Sequence, residues 1–60
     1  MLAKILRRED VETMTGLSRS TIYKLMSQGT FPKAIRIGPR AVGWRLSDIE
    51  VWIDSRTNAV

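Results

Sequence analysis

The carboxylates of this chain fall into two groups, Glu9, Asp10 and Glu12 near one end and Asp48, Glu50 and Asp54 near the other. Neighbouring carboxylates can divide acid and base duties when their environments push their proton affinities apart. Here both groups lie where helix starts and exposed faces are expected, so capping and dipole interactions account for them. The sequence has no histidine and no cysteine. It therefore lacks the commonest general base and metal ligand, and any thiolate or disulfide. No serine has an imidazole to activate it. The run "GPRAVG", Gly38–Gly43, has the glycine spacing of a phosphate-binding loop, but Trp44 and Arg45 follow where that loop requires lysine and a hydroxyl. It reads as a turn. The chain is expected to be no enzyme, with no metal and no cofactor.

The remaining chemistry is that of recognition. The formal charge is +4, and its distribution is uneven. From Thr13 to Ser47 there is no acid, while Arg19, Lys24, Lys33, Arg36, Arg40 and Arg45 give that stretch +6 and leave the flanks at −2. A field of one sign on so short a chain points to a polyanionic partner, foremost double-stranded DNA. The run "TGLSRSTIYKL", residues 15–25, threads hydroxyl, basic and aromatic side chains between Leu17, Ile22 and Leu25. On a helix with the aliphatic residues inward, Arg19, Ser20, Tyr23 and Lys24 face outward, with Thr21 at the boundary. Arg19 suits a bidentate contact to guanine, and Ser20 and Thr21 suit base edges or a thymine methyl. Tyr23 and Lys24 reach phosphates. Ser18, as N-cap, and the free N–H groups beside it suit a further phosphate. The alternative for Tyr23 is a ring packed along the domain edge.

The elements that must position these groups can be read coarsely. A chain of this size buries only roughly 60% of the surface its unfolded form exposes, so the core is small and the expectation is one domain, residues 1–60. A short helix over Arg8–Met14 carries acids in its first turn, with Val11 and Met14 spaced to face the core and Gly16 as its stop. Ser18 opens a second helix running to about Gln28, with Ile22, Leu25 and Met26 as its apolar stripe and Gly29 and Pro32 closing it. Two helices joined across "TGLS" make a helix-turn-helix, with Leu17 tucked beneath the turn.

Beyond Pro32 the period changes. "AIRIGPRAVGWR" reads as two short strands around a turn at Gly38–Arg40, with Ile35, Ile37, Val42 and Trp44 on an apolar face and arginine on the other. Ser47 and Glu50 in "SDIE" form the pattern of a capping box, with Asp48 well placed against the dipole. Ile49, Trp52 and Ile53 then make the stripe of a last helix, with Arg56 near its end and Thr57–Val60 expected to fray. Trp44 and Trp52 are assigned to packing rather than base stacking. The fold class is mainly α with a two-stranded β-wing, a small winged helix-turn-helix. Its second helix, about Arg19–Gln28, enters the major groove. Its wing, about Arg36–Arg45, lies on the backbone or minor groove, where arginine suits a narrow negative cleft. Arg40 beside Pro39 at the tip is the foremost candidate. Arg36 and Arg45 have the alternative of pairing with Asp48, Glu50 or Asp54.

The stretch "TGLSRSTIYKLMSQGTFPKAIRIGPRAVGWRLSDIEVWI" resembles the AlpA family of phage and prophage regulators in its "TGLSRSTIY" turn and helix, its "FP" connection and its "GWR" ahead of an acidic final helix. The likeness runs from Leu6 to Arg56. It implies a MerR-like winged helix-turn-helix related in fold to excisionases, acting as a transcriptional regulator of prophage genes. Carried over residue by residue, the DNA-reading segment falls on Arg19, Ser20, Thr21, Tyr23 and Lys24, and the wing on Arg36 to Arg45. The final helix ends soon after its second turn and leaves little chain for a separate dimerisation element. Two other readings share these features: an excisionase-type architectural factor that bends DNA for a recombinase, and an adaptor that holds an acidic partner such as polymerase or integrase. Self-association on repeated sites is compatible with a small footprint. No apolar run approaches the ~20 residues of a membrane span, and Met1–Arg8 does not read as a signal peptide, so a cytoplasmic, nucleoid-associated protein is expected.

Overall fold

The computed structural model describes residues 4–56. The elements follow in the order β1 (Ile5–Leu6), α1 (Arg8–Thr15), α2 (Arg19–Ser27), β2 (Ile35–Gly38), β3 (Ala41–Arg45) and α3 (Leu46–Ser55). Helix α1 starts where Asp10 Oδ2 accepts a hydrogen bond from the Arg7 N–H at 3.1 Å. Glu9 and Asp10 occupy its first turn, where the positive end of the macrodipole favours them. The helix stops at Gly16, which adopts φ 73° and donates its N–H to the Glu12 carbonyl at 2.8 Å. That left-handed conformation is inexpensive only without a Cβ. The chain then reverses through Leu17, whose N–H donates to Thr15 Oγ1 at 3.2 Å.

Helix α2 opens on Ser18 in an extended conformation, its Oγ accepting the Thr21 N–H at 3.3 Å. At the far end the Gly29 N–H donates to Met26 and the Thr30 N–H to Leu25, both at 3.0 Å, the paired bonds of a Schellman motif. The chain leaves α2 through Phe31, which is buried. Val11, Ile22, Trp44 and Ile49 are fully buried, Leu6 and Phe31 nearly so, and Leu17, Leu25, Met26, Ala34, Leu46 and Trp52 pack around them. The two tryptophans hold the wing and α3 to the segment after α2. Trp44 Nε1 donates to the Pro32 carbonyl at 3.0 Å, and Trp52 Nε1 to the Thr30 carbonyl at 2.8 Å. The ring of Trp52 meets that of Phe31 edge-on with centroids 4.8 Å apart.

Helix-turn-helix, wing and closing helix stand as the sequence indicates, and four details differ. The sheet has three antiparallel strands, in the order β1-β3-β2, instead of two. Strand β1 pairs Ile5 with Arg45 and Leu6 with Trp44, and the Leu46 N–H extends this contact to the Lys4 carbonyl at 2.9 Å. Two residues carry no alternation to read, so β1 is set by the open edge of β3.

The faces of the hairpin also differ. Ile35 pairs with Gly43 and Arg36 with Val42, with an irregularity between Arg36 and Gly38. Directly opposed residues share a face, so Arg36 lies on the side of Val42 and Trp44, while Ile35 and Ile37 lie on the side of Gly43. Arg36 escapes burial because Val42, its neighbour across the ladder, is itself 39% exposed.

Helix α3 follows β3 without a connecting loop, with Arg45 at its N-cap and no side-chain capping bond. The expected capping box of Ser47 and Glu50 does not form: continuation of the strand pairing to Leu46 starts the helix one residue ahead of Ser47. Asp48 does remain in the first turn. Met14 and Ile53, expected inward, are 40% and 36% exposed, because short helices on so small a core bury only their central stripe. Arg56 ends α3 with its guanidinium 4.4 Å from the centroid of the Trp52 ring. The fraying expected for Thr57–Val60 concerns positions outside the described residues. No helix among the described residues is long and apolar enough to cross a membrane.

Candidate nucleic-acid interface

Burial of Ile22, with Leu25 and Met26 packed beside it, fixes the rotation of α2 about its axis. Arg19, Ser20, Tyr23 and Lys24 consequently stand exposed on one side, and Thr21 is half-buried at the edge. These are the outward residues that the periodicity indicates. Ser18 is more engaged than its exposure implies. Its Oγ accepts from the Thr21 N–H, donates to Thr21 Oγ1 at 2.9 Å and lies 3.3 Å from Ser20 Oγ. Ser18 therefore holds the start of α2, and Ser20 keeps hydroxyl capacity toward solvent. Arg19 occupies the first helical position, and its guanidinium lies 5.7 Å from the centroid of the Tyr23 ring one turn along.

In the wing, Arg36 bonds the turn that carries Arg40, and Arg45 stands apart. An Nη of Arg36 donates to the Pro39 carbonyl at 3.3 Å, across the turn that carries Arg40. Arg40 is exposed. Arg45 is the last residue of β3 and pairs with Ile5, so it sits at the base of the wing. Four strand residues separate it from the tip region, a span of about 13 Å. Its side chain shares the face of Gly43 rather than that of Trp44.

Electrostatics reinforce the division. Among the described residues the ion pairs are those of Arg8, with Glu12 at 3.0 Å and Glu9 at 3.3 Å. The hydrogen bond to Glu12, above all, raises the pKa of the Arg8 guanidinium beyond its ordinary value against an opposing desolvation cost. The pairing of Arg36 or Arg45 with Asp48, Glu50 or Asp54 is not formed. The cations of the acid-free stretch thus form no ion pair among the described residues, and Lys33 is a further exposed cation of that stretch, on the connecting segment after α2.

A separate cleft of about 660 Å³ runs between the Gly29–Lys33 segment and α3, with Phe31, Pro32, Ile35, Val51 and Trp52 among its lining. None of the nominated residues lines it. It is open, and Lys33, Asp48 and Arg56 also line it, so charges of both signs meet there, unlike the acid-free outer face of α2.

Comparison with known proteins bears on what this arrangement is for. Residues 4–57 match the family described as the prophage CP4-57 regulatory protein (AlpA). The uncharacterized protein ORF88 of Enterobacteria phage P4 is 40% identical over 53 residues, which cover 88% of this chain and 60% of that protein. The DNA-binding transcriptional activator AlpA of Escherichia coli (strain K12) is 33% identical over 63 residues, covering 95% of this chain and 90% of that protein. The chain therefore spans about three-fifths of the phage relative's length and nearly all of the bacterial one's.

Proposed function

This chain belongs to the AlpA family of prophage regulatory proteins, and on that premise we propose that it is a DNA-binding transcriptional regulator of prophage or mobile-element genes. The observation that carries the reading is the outer face of α2, where Arg19, Ser20, Tyr23 and Lys24 stand exposed with no carboxylate paired to either cation among the described residues. In the geometry of helix-turn-helix proteins such a face lies in the major groove with its first residues toward base edges. Arg19 then reads guanine, and Ser20 and Thr21 meet neighbouring base edges. Lys24 and the N-terminal N–H groups around Ser18 hold phosphates and set the register.

The wing acts alongside. Arg40 at the tip enters the minor groove or lies on the backbone, braced by the bond from Arg36 to the Pro39 carbonyl. Arg45, at the base, makes at most a peripheral phosphate contact. Residues 1–60 act as one winged helix-turn-helix unit in the bacterial cytoplasm, and repeated sites let copies bind side by side. The regulator works by occupying DNA rather than by catalysis, and the name of the bacterial relative, a transcriptional activator, supports action at promoters.

The test is selection of binding sites from a random duplex pool, followed by fluorescence titration of the best duplex and a scrambled one across a salt series. A preference of roughly 10³-fold or more with a steep salt slope is the expected result. Salt-sensitive binding without preference contradicts sequence-specific regulation and favours an architectural role. Absence of binding to any duplex refutes the reading.

A further inference from the structure

Resting on that reading of α2, we propose that Tyr23 is a positioning residue: its ring holds the Arg19 guanidinium in the conformation that reads a base, and its hydroxyl is not the working group. Arg19 and Tyr23 are four residues apart on the exposed face of α2, the spacing at which helical side chains meet. The guanidinium carbon lies 5.7 Å from the ring centroid, within the range of a cation–π contact. Tyr23 is 40% exposed, so part of its ring is covered and part is open to a partner. Arg19 forms no ion pair among the described residues. Among the described residues, the ring is therefore the group that restrains it.

The physical value of this restraint is preorganisation. A long arginine side chain loses rotamer freedom when it docks against a base, and that loss opposes binding. A guanidinium already resting on an aromatic face has met part of that loss in the free protein. Because the bidentate fork tolerates little misorientation, the benefit appears in discrimination between bases more than in overall affinity. Phosphate binding by Tyr23 would instead act through the hydroxyl and strengthen all duplexes alike. The two roles separate cleanly in a pair of substitutions.

The experiment compares the full chain with Tyr23→Phe, Tyr23→Leu, Arg19→Ala and the Arg19→Ala/Tyr23→Leu double variant. Each is titrated with the selected duplex and with its scrambled counterpart across a salt series. Thermal unfolding of each variant accompanies the titrations. Tyr23→Phe is expected to keep the selectivity ratio of the parent. Tyr23→Leu is expected to lower it by roughly two- to fivefold with an unchanged salt slope. The double variant is expected to match Arg19→Ala, since the ring has nothing left to position.

In the free protein, NMR is expected to show the Arg19 Hδ protons shifted upfield by the ring current, with the shift kept in Tyr23→Phe and lost in Tyr23→Leu. If Tyr23→Phe weakens both duplexes as much as Tyr23→Leu does, the hydroxyl is the working group and the proposal is wrong. Full selectivity in Tyr23→Leu, beside a loss in Arg19→Ala, overturns the proposal and leaves the reading of α2 standing. Full selectivity in Arg19→Ala overturns both. Should Tyr23→Leu fail to fold, the ring-current shift of the parent and Tyr23→Phe decides, and its absence overturns the proposal.

Discussion

Gly43 lies directly against Ile5: a Cβ at Gly43 would stand 2.6 Å from Cγ2 of Ile5 and 2.8 Å from the carbonyl oxygen of Leu6. Strand β1, paired antiparallel along the Trp44–Arg45 end of β3, therefore approaches Gly43 at a distance that only glycine permits. The close approach matters to the interface because β3 carries the wing on one side of Gly43 and Trp44, the largest core residue, immediately on the other.

Gly43→Ala is accordingly expected to destabilise the fold by about 1–3 kcal/mol through overpacking. Denaturant unfolding of the purified variant measures this. Adding Ile5→Ala should recover only part of the loss, because the Leu6 carbonyl is backbone and stays in place. Complete recovery would show that the backbone yields.

Gly16 is a glycine for a different reason. At φ 73° a Cβ would meet nothing within 4 Å, so the cost of a side chain is conformational alone. Gly16→Ala should destabilise by about 1–2 kcal/mol, and Gly16→Asn by less, because asparagine tolerates the left-handed region. Gly16→Val should be the worst of the three. Equal unfolding midpoints for the parent and Gly16→Val would disprove the assigned backbone.

Arg19→Ala is expected to relax base preference and to cost about 1–3 kcal/mol on the selected duplex, with little change on a scrambled one. The check is the ratio of the two dissociation constants, measured at one salt concentration. A uniform loss on both duplexes would reassign Arg19 to phosphate.

Arg40→Ala should do the opposite, weakening every duplex alike and reducing the salt slope by about 0.9 for one lost phosphate contact. Arg45→Ala, at the base of the wing, should change the slope less. Titrations of both variants across a salt series decide the order, and an Arg45 effect exceeding that of Arg40 would reverse the docking of the wing.

Trp44→Phe removes the donor to the Pro32 carbonyl and leaves a gap in the core. The unpaired carbonyl alone is expected to cost about 1–3 kcal/mol, with the cavity adding to it. Unfolding experiments should rank it as more damaging than Trp52→Phe, whose indole is partly exposed.

Much of this architecture was legible because its signals are local. Gly16, Ser18 and Gly29 cap the two helices through bonds reaching three to five residues, and such chemistry can be read from a short window. The outward set on α2 follows equally from the spacing of Ile22, Leu25 and Met26. The features that escaped are decided at long range. Strand β1 exists because residues some forty positions away leave an edge to fill. The face on which Ile35 and Ile37 lie depends on their pairing with β3 and on the close approach at Gly43, since alternation specifies two faces without saying which one meets the core. Ser47 and Glu50 have the pattern of a capping box, but the strand pairing that reaches Leu46 overrides it. At the site, exposure was readable from periodicity. The contact of Arg19 with Tyr23, the bond from Arg36 to Pro39 and the separation of Arg45 from the wing tip arise only in the folded chain.

Of the nine residues in α2, Ile22 alone is fully buried, and the exposed positions on its outer face contribute nothing to the buried core. Mutation can therefore rewrite Arg19, Ser20, Tyr23 or Lys24 at little cost to folding, because surface changes of this kind usually stay within about 0.5 kcal/mol. On the proposed reading, retargeting to a new site would then be a matter of a few codons. If that face reads DNA as proposed, such separation of scaffold from reading head would let lineages related to phage proteins diverge in target while inheriting the same frame.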